Sequence, residues 1–523
     1  MVAPAESDYG LHNRGFSMEG NSAEVLPGRS TESFPAGSTE VLNKVELKRE
    51  LGLFSAVNLT ISCMIGSGIF VSPSITLERS GSVGLCLIIW AVCGVITLMG
   101  ALSYAELSSV VPRSGAEYAY FLEAYRGLHK FWGPLPCFIC AFIQVCIINP
   151  TAGAIMVLTF SEYICQPFVG YMNGLTLESQ DIVKKIIAIL GLCLLTFINF
   201  MSVKLYVRIQ NVFSIGKLVV CGVVIVAGVV MLCTGKTENL SKGFDGSSTS
   251  PDKLALAFYG CLWAYGGWAT VTVITEEVRN PEVNVLRSII IAVPLVAAVY
   301  LLMNIAYMTV LTVPEMTAAP AVAVVFGDRL LGVMSFIIPV GVAMSTFGSA
   351  LTSQFATARQ CYVAGTEGHM IEAFSYIHLR RLTPAPAVIL QGFLSFLFII
   401  AGDITTLIDF CSFLIWIFYA LAMVALMIMR KTKKDVKRTY KVPLFAPVLV
   451  IIAALFLCLV PIILDPSLSY FFALFLIGLG FILYIPLVYY KFRLKWMDNF
   501  TYFIQVLMEV IPSENNLDVD KKT

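Results

Sequence analysis

The sequence predicts an all-α membrane protein with twelve transmembrane helices, and three observations lead to this fold class. Of its 523 residues, 58% are hydrophobic and 13% are charged, and the mean hydropathy is +0.81. A soluble protein carries about 25% charged residues. Twelve apolar segments approach the roughly 20 residues that a spanning helix needs. Two of these segments, at matching places in two successive sets of five, are interrupted by glycine.

The twelve segments follow one another with polar connections between them. The third and eighth segments are long and the ninth is short, and the long ones can be accommodated by tilting in the bilayer. The predicted spans are 53–74, 84–108, 134–161, 186–203, 209–233, 254–275, 288–312, 331–358, 385–401, 404–429, 445–464 and 467–490.

Lys and Arg residues are distributed unequally between the two sides of the predicted helices. With the N-terminus inside, most of them fall in inner loops, including a basic cluster between residues 430 and 441. The positive-inside rule then places both termini in the cytoplasm. Residues 1–43 are polar and lack the apolar core of a signal peptide, so we predict a disordered cytoplasmic tail. Residues 44–495 form the twelve-helix domain, and 496–523 form a cytoplasmic C-terminal tail.

The chain lacks the motifs of enzymes and of metal or nucleic-acid sites. Most of the 14 Cys lie in apolar segments, where Cys usually acts as a small hydrophobic residue. The 4 His show no metal-ligand spacing, and a net charge of +1 gives no basic surface for nucleic acid. Two glycine-containing segments partly resemble nucleotide-binding loops, but each lacks a glycine that the complete motif requires. We therefore predict no enzymatic activity, cofactor, metal or nucleic-acid partner.

The glycine interruptions are Gly66-Ser67-Gly68 in the first segment and Gly266-Gly267 in the sixth. Glycine weakens a helix, and backbone groups freed in hydrocarbon persist only around a cavity or a ligand. Such a pair in corresponding halves indicates the substrate site of an inverted-repeat transporter. The alternative is helix packing, because glycine is common in membrane helices.

Together the two breaks would recognise an amino-acid head group through backbone atoms. Free N–H groups at the start of a half-helix stabilise a carboxylate, and free carbonyls in the sixth segment bind an ammonium group. The predicted substrate-binding residues at the breaks are Ile65, Gly66, Ser67, Gly68, Tyr265, Gly266 and Gly267.

Four further residues inside the apolar segments are candidates for function. Lys217 would bind carbonyls of the first segment in place of a sodium ion, or else extend its ammonium group to the inner surface. Asn149 precedes a helix-kinking proline and would line the side-chain pocket, or else cap the local backbone. Trp263 and Phe347 would gate the site, or else pack in the core.

Two predictions concern the surfaces on either side of the membrane. Asn239 begins a glycosylation sequon in an outer loop, and its use and non-use are equally open. Glu106 and the pair Glu276-Glu277 would form an inner gate with inner-face Arg residues such as Arg113, Arg279 or Arg359. Solvated helix ends are the alternative for these acidic residues.

Several motifs resemble those of the L-type amino-acid transporters, which are light chains of heteromeric amino-acid transporters in the amino acid–polyamine–organocation superfamily. The resemblance covers about residues 45–513. The segment 507–512 resembles the b(0,+)-type branch, which exchanges cystine, neutral and dibasic amino acids. The matching motifs are at 65–73, 100–107, 263–268, 275–281, 362–369 and 382–386.

The resemblance implies a LeuT-type fold in which 53–233 and 254–429 are inverted repeats of five helices, with two extra helices in 445–490. It implies sodium-independent exchange of amino acids by alternating access in the plasma membrane. It also implies that the Gly66–Gly68 backbone holds the substrate and that Trp263 closes the site from outside. Lys217 matches the lysine of the family's fifth span.

Several departures from the family pattern concern the substrate and the partner. Gly266 stands where the dibasic branch has Asp, and Asn149 stands where related members have Arg or Lys, so the site lacks a fixed charge for a cationic side chain. Ala269 replaces the usual Asn. Loop 166–183 lacks the Cys that bonds a heavy-chain glycoprotein, so covalent pairing is not expected and a non-covalent partner remains open. The inserted residues 126–131 have no explanation from sequence.

These observations predict a sodium-independent exchanger of neutral L-amino acids with small-molecule substrates and the lipid bilayer as its partners. Two alternatives stay open: an exchanger of cystine and dibasic as well as neutral amino acids, and a non-transporting amino-acid sensor on a transporter fold. The sequence leaves the exact substrate, the stoichiometry, the direction of transport and the need for a heavy chain undetermined.

Overall fold

A computed structural model gives the fold of the chain. It describes residues 51–512 apart from ten single positions, namely 114, 173, 274, 276, 277, 367, 382, 491, 493 and 494. The predicted N-terminal tail at 1–43, residues 513–523 of the predicted C-terminal tail and the predicted gate pair Glu276-Glu277 lie outside the described residues.

Every apolar segment predicted in the first half of the chain is helical. Serine and threonine begin several of these helices, as at Ser82, whose hydroxyl accepts a hydrogen bond from the Leu85 N–H. A π-helical turn at Gln144–Ile148 joins two of them. The helices are α1 Leu53–Met64, α2 Gly68–Ser80, α3 Val83–Val110, α4 Glu117–Tyr125, α5 Leu135–Ile143, α6 Asn149–Cys165, α7 Val169–Met172, α8 Leu177–Met201, α9 Val203–Cys233 and α10 Glu238–Ser241.

The second half is also helical, with short elements between the long ones. A second π-helical turn, Ile485–Tyr489, extends the last apolar helix. The helices are α11 Pro251–Ala264, α12 Thr270–Val273, α13 Pro281–Val310, α14 Val313–Ala318, α15 Val322–Leu330, α16 Ile337–Thr366, α17 Ala385–Ala401, α18 Ile404–Thr432, α19 Phe445–Leu464, α20 Leu468–Tyr484 and α21 Lys495–Met508.

Within the described part of the chain, 8 helices are long and apolar enough to cross a membrane. The pair α1 and α2, bent by 46° at the break, brings this number up to 9. The segments predicted at 186–203, 254–275 and 385–401 are helical but are not among these. The helical character of all twelve segments is confirmed, whereas the count of twelve spans stays a prediction.

The helices pack in pairs that join the two halves of the chain. The first interrupted helix lies against the second, with α2 along α11 and α1 against α12. Further along, α3 packs on α13, α6 on α16 and α8 on α17. Each predicted span from the first to the fourth therefore contacts the span five places later, which brings the two glycine breaks together.

A small β-sheet at the C-terminal end departs from the all-α prediction. Among the described residues, β1 (Tyr376–His378) pairs antiparallel with β2 (Val510–Pro512), with Ile377 opposite Ile511. The segment predicted as a tail from 496 therefore begins with an amphipathic helix, α21, and this strand. Strands of three residues carry almost no periodic signal, and this one forms only because a distant segment supplies its partner.

The segment predicted as an inner loop before the third span contains the short buried helix α4. Its Glu117 accepts a hydrogen bond of 2.9 Å from the Tyr104 hydroxyl, and burial raises the pKa of this carboxyl above its ordinary value. The inserted residues 126–131 follow α4 and end in an aromatic contact. The Phe131 ring packs against Tyr484, whose hydroxyl donates to the Phe131 carbonyl at 2.6 Å. The insertion thus anchors the loop to the last apolar helix.

Candidate functional site

The first break is a three-residue bend between α1 and α2. Helix α1 ends at Met64, and α2 begins at Gly68 with the Ser67 carbonyl accepting from the Phe70 and Val71 N–H groups. The first N–H groups of a helix have no partner within the helix, so they point into the break. Neither Gly66 nor Gly68 has a positive φ. The bend is therefore not imposed by a left-handed glycine.

Lys217 on α9 reaches the first break from 152 to 155 residues away in the chain. Its ammonium Nζ donates to the Ser62 carbonyl at 2.7 Å and to the Ile65 carbonyl at 3.0 Å, and lies 3.5 Å from the Ser349 hydroxyl. The side chain is fully buried. A buried ammonium needs such oxygen partners, and the carbonyls at the C-terminal end of α1 carry the partial negative charge that suits it.

The second break, between α11 and α12, is formed by its own backbone. The Gly266 N–H donates to the Trp263 carbonyl at 3.0 Å, and the Thr270 N–H and hydroxyl both donate to the Gly267 carbonyl. Gly267 has φ of +93°, a conformation that a side chain would strain. A Cβ at this position would also lie 2.8 Å from the Cys63 carbonyl oxygen, so the second break touches α1.

The two breaks meet at a close backbone contact. A Cβ on Gly68 would lie 2.3 Å from the Ala264 Cα, so α2 begins where α11 ends and only glycine fits there. The Tyr300 hydroxyl on α13 lies 2.6 Å from the Met64 carbonyl and 3.0 Å from the Ala264 carbonyl, which are the last residues of α1 and α11. Tyr300 is fully buried. A single hydroxyl thus contacts the end of both interrupted helices.

Tyr300 could not be identified from the sequence, because tyrosines recur throughout the apolar segments and no pattern distinguishes this one. The same holds for Tyr163 on α6, whose hydroxyl donates to the Phe70 carbonyl in the first turn of α2 at 2.9 Å. Only their position against interrupted backbone distinguishes these two tyrosines from others. No sequence pattern carries that information.

A cavity lies beside the second break. Its walls come from α3, α11, α18 and α19, and they include Trp263 and Gly266. Aromatic and aliphatic side chains form most of the wall, and the hydroxyl groups of Thr97 and Ser412 supply polarity. Among the described residues, no Asp, Glu, Lys or Arg lines this cavity; the other aromatic residues in its wall are Trp268, Trp416 and Tyr419.

The structure does not bring Asn149 into the wall of that cavity. Asn149 lines a second cavity together with Gln354, Gln391 and Ser395, between α6, α8, α16 and α17. Its amide nitrogen donates to Gln360 at 3.0 Å, and the Gln360 amide donates to Gln144 at 2.6 Å. A chain of neutral amides therefore surrounds Asn149, and its role in substrate binding stays a prediction.

Of the two predicted gate aromatics, only Trp263 borders the cavity. Trp263 is half-buried, at the last turn of α11. Phe347 on α16 is buried between Phe160 and Phe213, with ring centroids 5.4 and 6.0 Å away. It lies two residues from Ser349, which contacts Lys217, so it packs close to the first break.

The predicted glycosylation site Asn239 lies in the short helix α10 and is half-buried. The Ser241 hydroxyl of its sequon donates to the Glu238 carbonyl at 2.7 Å. The following residues are held to the start of α3, where the Gly84 N–H donates to the Gly243 carbonyl. Glycosylation of Asn239 stays a prediction.

Glu106 pairs with arginine, as predicted, but its partner is Arg430 and not one of the named examples Arg113, Arg279 and Arg359. Glu106 is fully buried and binds Arg430 through both carboxylate oxygens, with the Arg438 guanidinium 3.4 Å away. Both arginines belong to the basic cluster between residues 430 and 441, which begins in the last turn of α18 and continues beyond it. This partner could not be identified from the sequence, because more than 320 residues separate Glu106 from Arg430.

A second buried ion pair was not predicted. The Arg79 guanidinium, near the end of α2, binds both carboxylate oxygens of Asp409 on α18 at 2.8 and 2.6 Å. It also donates to the Leu256 carbonyl on α11 at 2.7 Å. The predicted spans 53–74 and 84–108 leave Arg79 in the connection between them, whereas the structure includes it in α2.

Comparison with known proteins agrees with the resemblance found in the motifs. Residues 51–483 match the amino acid permease family. The b(0,+)-type amino acid transporter 1 of Homo sapiens is 43% identical over 472 residues, which cover 90% of this chain and 94% of that protein. The Homo sapiens cystine/glutamate transporter is 37% identical over 516 residues, with coverages of 97% and 98%.

A third relative is the large neutral amino acids transporter small subunit 2 of Mus musculus, 35% identical over 523 residues with coverages of 98% and 95%. These similarities confirm the recognition of light chains of heteromeric amino-acid transporters as relatives. They also confirm that the chain resembles transporters rather than enzymes. With its several long apolar helices, this multi-pass integral membrane protein belongs to the amino acid permease family.

Proposed function

We propose that this protein exchanges neutral L-amino acids across the plasma membrane, independently of sodium, by alternating access. The observation that carries the neutral preference is the cavity beside the second break. Among the described residues its wall consists of aromatic, aliphatic and hydroxyl-bearing side chains and glycine, with no ionised side chain. A Lys or Arg substrate would bury its charge there without a partner, which costs several kcal/mol.

The substrate head group would bind to backbone atoms at the two breaks. Ile65, Gly66, Ser67 and Gly68 would receive the carboxylate on the free N–H groups at the start of α2. Carbonyls of Tyr265, Gly266 and Gly267 would receive the ammonium group. The close contact of Gly68 with Ala264 supports this proposal, because it brings the N-terminal end of α2 next to the end of α11.

Lys217 would replace a coupling cation. Its ammonium group is already bonded to two carbonyls at the end of α1, the position at which a monovalent cation would need oxygen ligands. The positive charge of this ammonium group would stabilise the bend without sodium. Trp263 and Phe347 would act as gates, Trp263 over the cavity and Phe347 beside the Lys217 contact.

The membrane arrangement is part of the proposal. We propose twelve spans with cytoplasmic termini, a LeuT-type pair of inverted repeats and two added helices. The packing of each early span on the one five places later supports a two-fold relation between repeats. Basic residues clustered after α18 support a cytoplasmic location for that end.

The relatives also bear on the partner. One of them is named as a small subunit. In this chain no Cys lies in loop 166–183, so we propose that any heavy chain associates without a disulfide.

A broader substrate range is the second candidate, because the Homo sapiens b(0,+)-type relative is 43% identical to this chain, against 37% and 35% for the other two relatives named above. In that case cystine and dibasic amino acids would be exchanged as well. A non-transporting sensor is the third candidate. The two breaks would serve it equally as a binding site.

Transport in proteoliposomes that contain only this chain would test the proposal. We expect uptake of labelled neutral amino acids that rises with internal amino acid and does not change when sodium is removed. Uptake of Lys, Arg or cystine at comparable rates would favour the broader range. Binding without flux in folded protein would favour the sensor, and flux that requires an added heavy chain would reject self-sufficiency.

A further inference from the structure

We propose that Arg79, Asp409 and the Leu256 carbonyl form an outer latch, a contact that closes the substrate site to the outside and opens once in each transport cycle. This inference rests on the proposed function, and in particular on alternating access. It assigns Arg79 as a positioning residue that determines the side to which the site opens.

A single guanidinium group joins three helices in the latch. Arg79 belongs to α2, the second half of the first interrupted helix, and Leu256 belongs to α11, the first half of the second one. Asp409 belongs to α18, which is continuous over 29 residues. The pair is bidentate, and only 14% of the Arg79 side chain and 16% of the Asp409 side chain are exposed. The latch therefore ties both interrupted helices to one continuous helix.

The latch lies at the ends of the half-helices that are remote from the breaks. Arg79 follows the start of α2 at Gly68 by eleven residues, which is about 16 Å of helix. Leu256 lies in the second turn of α11, whose other end forms the second break. In the proposed orientation these remote ends face the outside, because α1 follows the cytoplasmic tail.

The position of Asp409 on α18 places the latch on the outer side of the cavity. Asp409, Ser412 and Trp416 are spaced i, i+3 and i+7 and so share one face of the helix. Ser412 and Trp416 line the cavity with Trp263 and Gly266. In the proposed latch, a path from outside to the cavity along this face of α18 would pass between Asp409 and Arg79. Separation of the pair would open that path.

The energetics of this pair suit a contact that opens repeatedly. Two charges held mostly out of water lose hydration, and their mutual attraction and hydrogen bonds offset that loss. When the latch opens, water hydrates both charged groups again. The free-energy difference between the closed and open states is therefore smaller than the interaction energy of the ion pair. The Leu256 carbonyl adds a third bond that couples α11 to the same event.

Cysteine accessibility from outside tests the latch without any need for transport. The reporter is Ser412→Cys, a buried position in the cavity wall, labelled by a membrane-impermeant thiol reagent in the full chain. The chain without this substitution measures labelling of native cysteines. We expect Asp409→Asn to raise the labelling rate of the reporter about tenfold, through a shift toward the outward-open state. An unchanged rate in folded protein would overturn the proposal.

A matched control and a rescue separate the latch from a general effect of lost charge. Glu315 and Arg329 form another ion pair in a predicted outer loop, 38% and 44% exposed. Glu315→Gln should leave the labelling rate unchanged. The reversal Arg79→Asp with Asp409→Arg should return the rate toward that of the parent. Failure of the reversal in folded protein would count against the latch, as would an equal effect of Glu315→Gln.

Transport gives the second readout and covers the case in which Asp409→Asn does not fold. Arg79→Lys retains the charge but not the bidentate geometry, so we expect external KM to fall about threefold and kcat for exchange to fall as well. Unchanged KM and kcat would overturn the latch. If the parent protein transports no amino acid, the proposed function fails, and the accessibility result still decides whether the pair closes the outer path.

Discussion

The breaks in the two interrupted helices are stabilised by different interactions. The first break has no left-handed residue, and its freed carbonyls are bonded by the Lys217 ammonium from a distant helix. The second break contains Gly267 at φ +93° and closes its turns with its own backbone. The first break is therefore a product of tertiary structure, whereas the second is formed largely by its local sequence. Substitutions should affect them through different mechanisms.

The largest effect is expected from Lys217→Met, which removes the contact that holds the first break. Two charge-assisted hydrogen bonds are lost, each contributing about 1.5–3 kcal/mol, and two buried carbonyls remain without donors. We expect substrate affinity to fall about 100-fold or more. Calorimetric binding to purified protein measures it, with Lys217→Arg as the charge-retaining control. Parent-like affinity in Lys217→Met would show that the first break needs no cation.

Next in size is Gly267→Ala, which strains the second break. A left-handed side-chain residue costs about 1–2 kcal/mol, and the new Cβ would contact the Cys63 carbonyl oxygen at 2.8 Å. We expect a lower melting temperature and uptake reduced about tenfold or more. Gly235→Ala is the matched control, since Gly235 has φ +84° and no neighbour within 4 Å.

The control separates backbone strain from damage to the site. Gly235→Ala should lower the melting temperature slightly and leave uptake intact. Gly66→Ala extends the comparison to the first break, where the new Cβ would meet only the Ser349 hydroxyl at 3.3 Å. A larger loss of uptake in Gly66→Ala than in Gly267→Ala would reverse the difference inferred between the breaks.

A smaller effect is expected from Tyr300→Phe, because the hydroxyl touches both breaks without forming either. The ring contacts with Trp90 and Tyr265 remain, and one hydrogen bond of about 1 kcal/mol is lost. We expect kcat/KM to fall about fivefold. Tyr307→Phe on the same helix is the matched control, since the buried Tyr307 hydroxyl has no hydrogen-bond partner among the described residues.

Equal losses in the two tyrosine variants would mean that the Tyr300 hydroxyl acts only through packing. A loss in Tyr300→Phe alone would show that the ends of α1 and α11 share a functional contact.

Gly266→Asp at the second break is expected to have the smallest effect on total uptake. It should instead change the preference between cationic and neutral substrates. A carboxylate in the cavity wall supplies the missing partner for a cationic side chain. We expect the ratio of Lys to Leu uptake to rise about fivefold in competition assays. An unchanged ratio in folded protein would contradict the assignment of this cavity to the substrate side chain.

Much of the fold was predictable because the bilayer imposes strong constraints on sequence. Helical character was predicted for all twelve apolar segments, and the glycine breaks were located to within a few residues. The short strands β1 and β2 were missed, because three residues carry no detectable period. Helices α14 and α15 were also missed, since they occupy a connection between two strong apolar segments.

The candidate site was predictable only in part. Glycine composition marked both breaks, and an isolated lysine in an apolar segment marked Lys217 as requiring partners. The partners themselves could not be read from the sequence. Asn149 shows the limit of this reasoning, because its bond to Gln360 and its place in a second cavity carry no sequence signal. Its role in the side-chain pocket stays a prediction.

By itself the sequence determined that the chain lies in a membrane, which segments are helical, and where two of them break. Those properties depend on hydrophobicity and on backbone freedom, which are local. Tertiary structure alone decided that Lys217 holds the first break, that Tyr300 contacts both, and that Arg79 meets Asp409 across 330 residues. A buried polar group must find a partner, and only the packing of the helices determines which partner lies within reach.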